Sequence, residues 1–158
     1  MGSKTFSRGD IIFRQGDPGD CMYDIQFGTV DIYVNYGEDN EQKVAELTAG
    51  ELFGEMSILD SSPRSATAVA GADGAEVTAV SKKDFVQFFL REPAKILSLM
   101  QQMSDRVTKT TQDYLEACQT VYELQVAGKD GAAKDENLQA RIRKYSKMHK
   151  DFNSYANS

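Results

Sequence analysis

The sequence has no tryptophan, one histidine and two cysteines among 158 residues. Cys21 and Cys118 lie far apart in the chain, and neither has another cysteine or a histidine at metal-ligand spacing, so no disulfide framework or zinc site is indicated. His149, the single histidine, lies in a basic C-terminal segment away from any nucleophile motif. A histidine-based triad or metal cluster is therefore not expected, and we expect the chain not to be an enzyme.

Long apolar runs are also missing. No stretch approaches the roughly 20 residues that span a bilayer. The segment Met1-Gly2-Ser3-Lys4 lacks the apolar core of a secretory signal. A content of 41% hydrophobic and 27% charged residues is typical of a folded globular protein. We therefore expect a cytoplasmic protein without a membrane partner.

Negative charge dominates, with a formal net charge of −6, but it is unevenly distributed. Residues 129–158 hold seven basic and four acidic side chains, a local net charge of +3. A charge run of this size is more often a solvated helix face than a nucleic-acid contact. Nucleic acid is therefore not expected as a partner, and the role of the basic tail stays open.

Short strand-like segments follow one another from Asp10 to Ser81, without a helix-length pattern between them. The candidates are 11–13, 22–26, 30–34, 44–47, 67–70 and 75–80. Asp17-Pro18-Gly19-Asp20 predicts a type II turn, and Asp73-Gly74 predicts a tight hairpin. The pattern predicts an antiparallel roll or barrel of six or more strands, followed by C-terminal helices, one of them long.

Helical patterns begin after Ser81. Ser81 and Asp84 fit a capping pattern for a first helix over Lys82 to Leu90, and Pro93 suits the start of a second, longer helix. Apolar residues recur along that helix at alternating spacings of three and four, which is the a/d spacing of a coiled coil and predicts a homodimer. This seam consists of Ile96, Met100, Met103, Val107, Thr110, Tyr114, Ala117, Val121 and Leu124.

Three regions follow from these patterns. We expect residues 1–92 to form the β-roll with the first C-terminal helix. Residues 93–127 are expected to form a long helix that covers a binding site as a lid and contacts a second copy of the chain. Residues 128–158 form a basic helical tail, separated by a predicted break at Gly128 and containing a last helix from Ala132 to Lys150.

The most specific motif lies between Gly50 and Ala70, where Gly54-Glu55 precedes Arg64-Ser65-Ala66. The motif closely resembles the phosphate-binding cassette of cyclic nucleotide-binding domains, the family that includes catabolite activator proteins and cyclic-nucleotide-dependent kinase regulatory subunits. The resemblance covers roughly residues 4–127 in element order. It implies an α+β fold, in which an antiparallel, cupin-like jelly roll of about eight strands carries the C-terminal helices. It also implies a regulatory role, with cAMP as the ligand and cGMP as the alternative.

The chemistry of such a ligand explains the residue types. A cyclic nucleotide has a monoanionic phosphate and a free ribose 2′-hydroxyl. Arg64 provides a planar, charged fork for two phosphate oxygens, and Glu55 accepts the hydroxyl proton. Gly54 lets the backbone approach the ligand, and a short helix over Glu55 to Leu59 directs free N–H groups at the anion.

Further residues complete the predicted pocket. Ser65 donates to the phosphate or approaches the purine, and Ala66 keeps the wall thin. Val44 and Met56 are candidates for the apolar wall, and Tyr114, Cys118 or Tyr122 for a lid over the base. The predicted ligand-binding residues are Gly54, Glu55, Met56, Ser57, Arg64, Ser65, Ala66, Val44 and Tyr114.

Three other interpretations stay open. In the first, Arg64 and Glu55 form only a fold-stabilising ion pair. In the second, the chain is a cAMP-receptor-type transcription regulator without a complete DNA-binding domain, since only about 30 residues follow Gly128. In the third, it is a dimerisation scaffold that has lost its ligand, although the intact Gly54, Glu55 and Arg64 argue against this. The sequence favours a ligand sensor that acts on a downstream protein it does not identify.

Overall fold

A computed structural model describes residues 2–132 and 136–145, with side chains described for 2–123 and 136–145. The chain divides into two compact units, Met1–Met100 and Gln101–Ser158. Within the described residues, no helix is both long and apolar enough to cross a membrane. The first unit contains the β-structure, and the second is helical.

The strands of the first unit form one antiparallel sheet, with the order β1-β6-β3-β4, in which β2 also pairs with β6 and β5 with β3. Their bounds are β1 Gly2–Phe6, β2 Ile11–Phe13, β3 Cys21–Val34, β4 Gln42–Thr48, β5 Leu52–Phe53 and β6 Thr67–Ser81. The predicted α+β fold with an antiparallel roll is confirmed. The described residues contain six strands rather than about eight, because β3 and β6 each unite two predicted segments.

The predicted hairpin at Asp73-Gly74 is wrong. Strand β6 continues through both residues and pairs with β3, where Gly28 lies opposite Ala75. Gly28 and Gly74 have φ values of +78° and +72°, and a Cβ at Gly28 would lie 2.0 Å from the Gly74 oxygen. The glycines therefore allow two long strands to bend together at an irregularity, instead of reversing the chain.

Alternation along the strands separates two cores. On β3, Tyr23 packs into the cluster inside the roll, while Met22 packs into a second cluster with the helices. On β5, Phe53 packs into the cluster inside the roll and Leu52 packs into the second cluster. Because successive strand residues point to opposite faces, the two-residue strand β5 is anchored on both sides. The chain that follows Phe53 therefore starts from a fixed position.

Helix α1 spans Met56–Leu59, α2 spans Phe85–Arg91 and α3 spans Ala94–Ala132. Helix α2 begins later than predicted, since residues 81–84 form a turn in which the Ser81 hydroxyl donates to Asp84 Oδ2 at 2.8 Å. Helix α3 does not break at Gly128 and continues to Ala132. Glycine lowers helix stability by about 1 kcal/mol without forbidding the helix.

In the second unit, a further helix over 136–145, named α4 here, packs against α3. Leu138 and Thr120 are buried, and the basic side chains of α4 pair with acids of α3. Arg141 Nη1 lies 2.7 Å from Glu123 Oε2, and Lys144 Nζ lies 3.2 Å from Glu116 Oε2. Part of the positive charge of the tail is therefore used inside this unit. The rest of the predicted last helix lies outside the described residues.

Candidate functional site

The Gly54-Glu55 pair joins β5 to α1. Gly54 has a φ of +73°, a left-handed conformation that favours glycine. Glu55 is the N-cap residue of α1, and its carbonyl accepts hydrogen bonds from the N–H groups of Ile58 and Leu59. The Glu55 side chain is only 1% exposed. The site thus contains a buried carboxylate at the end of an anchored strand, as the motif predicts.

Arg64 brings a guanidinium to the same backbone. The residue is 5% exposed, and its Nη1 donates to the Gly54 carbonyl at 2.7 Å. Its Nη2 donates to the Cys21 carbonyl, also at 2.7 Å. The guanidinium carbon lies 4.3 Å from the centre of the Phe13 ring, which is a cation–π arrangement. Arg64 and the Gly54-Glu55 pair, predicted as one site, are therefore brought together.

The charge of Arg64 has no counter-ion within the described residues. No carboxylate forms an ion pair with it, and its buried Nε has no hydrogen-bond partner. The interpretation of Arg64 as an ion-pair partner of Glu55 therefore finds no support. Two backbone carbonyls and an aromatic face compensate a buried cation only in part, and an uncompensated buried charge costs several kcal/mol. The arrangement is suited to an anionic ligand.

Gly19 is a site residue that the sequence analysis read only as part of a turn. A Cβ at Gly19 would lie 2.5 Å from Ser57 Cβ and 2.8 Å from Arg64 Cζ, so only glycine permits this approach. The predicted type II turn is wrong, because such a turn needs a positive φ at its third residue and Gly19 does not have one. The glycine with a positive φ in this segment is Gly16, at +84°. The 16–17 backbone also holds Arg64, through Gly16 N to Arg64 O and Arg64 N to Asp17 O, both 2.8 Å.

Phe13 and Cys21 were also missed as site residues. Phe13 stacks near Tyr23 and Phe53, with ring centroids 5.9 and 5.8 Å away, so the surface beneath Arg64 is an aromatic cluster. Cys21 contributes its carbonyl, and no side-chain pattern in a sequence identifies a backbone acceptor. Phe13 ends a predicted strand in a short segment that also resembles the cyclic nucleotide-binding family, and this resemblance was the available signal.

The remaining cassette residues lie around α1. Ser57 is buried, whereas Met56 is 44% exposed. Ser65 is exposed, with its hydroxyl oxygen 3.9 Å from Met56 Sδ, and Ala66 is half-buried. Met56, Ser65 and Ala66 thus remain at or near the surface, where a ligand can reach them.

The predicted wall and lid residues have less support. Val44 is half-buried at an irregularity of the β3–β4 pairing, and its neighbour Ala45 is the residue that packs against the roll core. Tyr114 is 68% exposed in the second unit. A hydrogen bond with Cys118 raises the pKa of Tyr114. Both ligand contacts stay predictions.

Comparison with known proteins identifies relatives. The chain is 42% identical over 91 residues to the cAMP-dependent protein kinase regulatory subunit of Debaryomyces hansenii, covering 57% of this chain and 19% of that protein. It is 39% identical over 90 residues to the cyclic AMP receptor protein of Thermus thermophilus, covering 57% of this chain and 41% of the receptor. The chain thus spans less than half the length of either relative.

A solved structure gives the same result for the fold. The catabolite activator protein of Thermus thermophilus aligns with 99% of this chain and 78% of its own chain, at a TM-score of 0.59 and 26% identity. The family profile described as the cyclic nucleotide-binding domain matches residues 3–92, which is more than half of the chain and includes the whole cassette. The chain belongs to the cyclic nucleotide-binding domain family.

Proposed function

We propose that this chain is a sensor module that binds a cyclic mononucleotide, cAMP in preference to cGMP, and passes the binding signal on through its C-terminal helices. The observation that carries the proposal is the buried Arg64 guanidinium, which has an unpaired Nε and no carboxylate partner within the described residues. A cyclic phosphate supplies both the missing negative charge and the missing acceptor. The single negative charge of the cyclic phosphate matches the single positive charge of the Arg64 guanidinium.

Glu55 takes the ribose in this proposal. The buried carboxylate directly follows Gly54, whose carbonyl binds Arg64, so the acidic and basic groups approach neighbouring parts of one ligand. A carboxylate that accepts a hydrogen bond from the 2′-hydroxyl discriminates against a deoxyribose, because the deoxy sugar lacks that donor. Ser57, Ser65 and Ala66 complete the phosphate side, and Met56, Val44 and Tyr114 are the proposed contacts of the base.

The preference for cAMP is supported by the names of the relatives. The relatives reported above are named as a cAMP-dependent kinase regulatory subunit and a cyclic AMP receptor. Ser65 adds a hydroxyl at the base of the cassette, which is compatible with either purine. Calorimetric titration with cAMP, cGMP and linear AMP tests the proposal. We expect saturable binding of cAMP, weaker binding of cGMP and none of AMP, whereas equal affinities for cAMP and AMP would contradict it.

Signal transmission has a physical route at the start of α3. Lys95 Nζ lies 2.6 Å from Asp24 Oδ1 and donates to the Gly50 carbonyl at 2.8 Å. Asp24 is 5% exposed, and Gln26 donates to its other oxygen at 2.8 Å. The first turn of α3 is thereby bonded to the turn that precedes β5 and the cassette. A ligand that binds one arrangement of these segments better than another shifts their population.

The proposed output includes a homodimer through α3. Seam residues on this helix are exposed, among them Met100 at 62% and Val107 at 66%. Burying such side chains against a second copy stabilises a dimer by roughly 1.5–3 kcal/mol for each fully buried residue. A cytoplasmic location and a downstream protein partner are parts of the same proposal.

Light scattering tests the dimer. We expect a dimer of the full chain at high micromolar concentration, and a monomer for Val107→Glu. Leu115→Glu is the matched control, because Leu115 is 61% exposed on the same helix and lies outside the seam. A wild-type monomer, or equal disruption by both substitutions, would contradict the seam.

A further inference from the structure

A pocket lies where the residues after β2, the residues after β3 and the start of β6 meet. Its volume is about 310 Å³, at the lower end of the range for small-molecule sites. Its lining residues are Arg14, Gln15, Gly16, Asn35, Tyr36, Glu38 and Thr67. None of them belongs to the predicted nucleotide-binding set.

The walls of this pocket are bonded to one another. The Gln15 N–H donates to Thr67 Oγ1 at 3.0 Å, and the Asn35 N–H donates to Gln15 Oε1 at 2.9 Å. The Asn35 carbonyl accepts from the Glu38 N–H at 3.1 Å. These bonds leave Asn35 with a φ of +54°, a left-handed conformation that asparagine tolerates better than most residues. The pocket is therefore held by side chains as well as by strand pairing.

Asn35 lines the pocket and has an unpaired side-chain donor. The residue is 9% exposed, and its Nδ2 is buried without a hydrogen-bond partner within the described residues. A buried donor left unpaired costs about 1–3 kcal/mol. An oxygen acceptor on a ligand would remove that cost.

Two opposite charges line the same pocket. Arg14 and Glu38 do not pair with each other, and neither side chain has another partner within the described residues. An anion alone would be repelled by Glu38, and a cation alone would be repelled by Arg14 and would leave Asn35 Nδ2 unpaired. A molecule with a carboxylate and an ammonium group satisfies all three residues.

We propose that this pocket is a binding site for a small zwitterion of the free α-amino-acid class. The carboxylate accepts from Arg14 and Asn35 Nδ2, and the ammonium group pairs with Glu38. The site is separate from the cyclic nucleotide site and does not depend on it. Its wall at Gly16 also bonds to the backbone of Arg64, so the two sites share a segment of chain.

Titration followed by two-dimensional amide NMR tests the proposal on the full, nucleotide-free chain. The probes are L-alanine, propionate and ethylamine, since the last two each keep one charged half of the first. We expect L-alanine to produce saturable shifts of the Asn35 side-chain amide and of the Gln15 and Gly16 backbone amides. Each half alone should bind at least about tenfold more weakly, which corresponds to about 1.4 kcal/mol.

Variants assign the binding to the named residues. Arg14→Gln and Asn35→Asp should each weaken L-alanine binding by about tenfold or more. Arg8→Gln is the matched control, because it removes the same charge from an exposed arginine that does not line the pocket. Arg14 is exposed, so its substitution does not threaten folding. The proposal is overturned by an absence of saturable shifts up to tens of millimolar, by equal responses to all three probes, or by unchanged binding in Arg14→Gln.

Discussion

Two arginines, one in each unit, use their charge in opposite ways. Arg64 is 5% exposed in the cassette and has no carboxylate partner within the described residues. Arg141 lies in the second unit and pairs with Glu123 at 2.7 Å, with Glu116 Oε1 3.8 Å from its Nε. The Arg141 guanidinium forms ion pairs that join α4 to α3, whereas the Arg64 guanidinium is available to pair with a bound anion. The presence or absence of an internal carboxylate partner thus distinguishes the structural arginine, Arg141, from the proposed ligand-binding arginine, Arg64.

The largest expected effect follows from Arg64→Gln. The loss of a desolvated cation should cost about 2–5 kcal/mol of cAMP affinity, measured by calorimetry. Without nucleotide, relief of the uncompensated charge offsets the lost carbonyl hydrogen bonds, so the unfolding temperature should change little. A large loss of stability with unchanged affinity would instead make Arg64 structural, like Arg141.

Glu55→Gln should weaken cAMP binding by about 1.5–3 kcal/mol, the usual contribution of a hydrogen bond to a charged group. The substitution keeps the shape of the side chain and removes its charge. The wild-type protein should prefer cAMP over its 2′-deoxy analogue, and the variant should lose most of that preference. Equal binding of the two sugars by the wild type would remove the proposed ribose contact.

Comparison of Gly54→Ala with Gly50→Ala distinguishes the effect of backbone strain from the effect of a new contact with Arg64. Both glycines have positive φ, +73° and +93°, so both substitutions should lower the free energy of unfolding by about 1 kcal/mol or more. A Cβ at Gly54 would lie 2.6 Å from Arg64 Nη1, whereas one at Gly50 meets nothing within 4 Å. Only Gly54→Ala should therefore weaken cAMP binding, as measured by urea denaturation and calorimetry together. Equal losses of affinity in both variants would argue against the proposed contact.

Arg141→Gln should have a small effect, about 1 kcal/mol or less, because its ion pairs are partly exposed. Amide exchange in 136–145 should become faster as the α3–α4 contact weakens. The affinity for cAMP should change far less than in Arg64→Gln. A comparable loss of affinity would break the distinction between the two arginines.

The smallest expected effect concerns pH. Hydrogen bonds from the Tyr145 hydroxyl and the Lys144 ammonium hold the pKa of Glu116 below its ordinary value. The ionised carboxylate therefore stabilises the α3–α4 contact above the ordinary glutamate pKa, and this contribution is lost as the pH falls through the lowered value. Amide exchange in 136–145 should accelerate on acidification through that range. Glu116→Gln should abolish the added dependence, and an unchanged dependence would exclude Glu116 as its source.

Most of the fold class and the central pair of site residues could be predicted from the sequence. Period-2 patterns and turn residues predicted the antiparallel roll, and the resemblance of the Gly54-Glu55 and Arg64 motif to a phosphate-binding cassette predicted that these residues share a site. Three of the errors concern glycine: Gly19 was assigned to a type II turn, Gly74 to a hairpin and Gly128 to a helix break. A glycine permits several conformations, and only its neighbours in three dimensions determine which one is used.

By itself, the sequence determined which residue types are present and how they alternate, because side-chain chemistry and strand periodicity are local properties. The tertiary structure decided where each charge found a partner. It placed Arg64 against two carbonyls and an aromatic ring, yet brought the basic residues of α4 to the acids of α3. The cost of a buried charge depends on neighbours that are distant in sequence, so no local pattern could have distinguished these two outcomes.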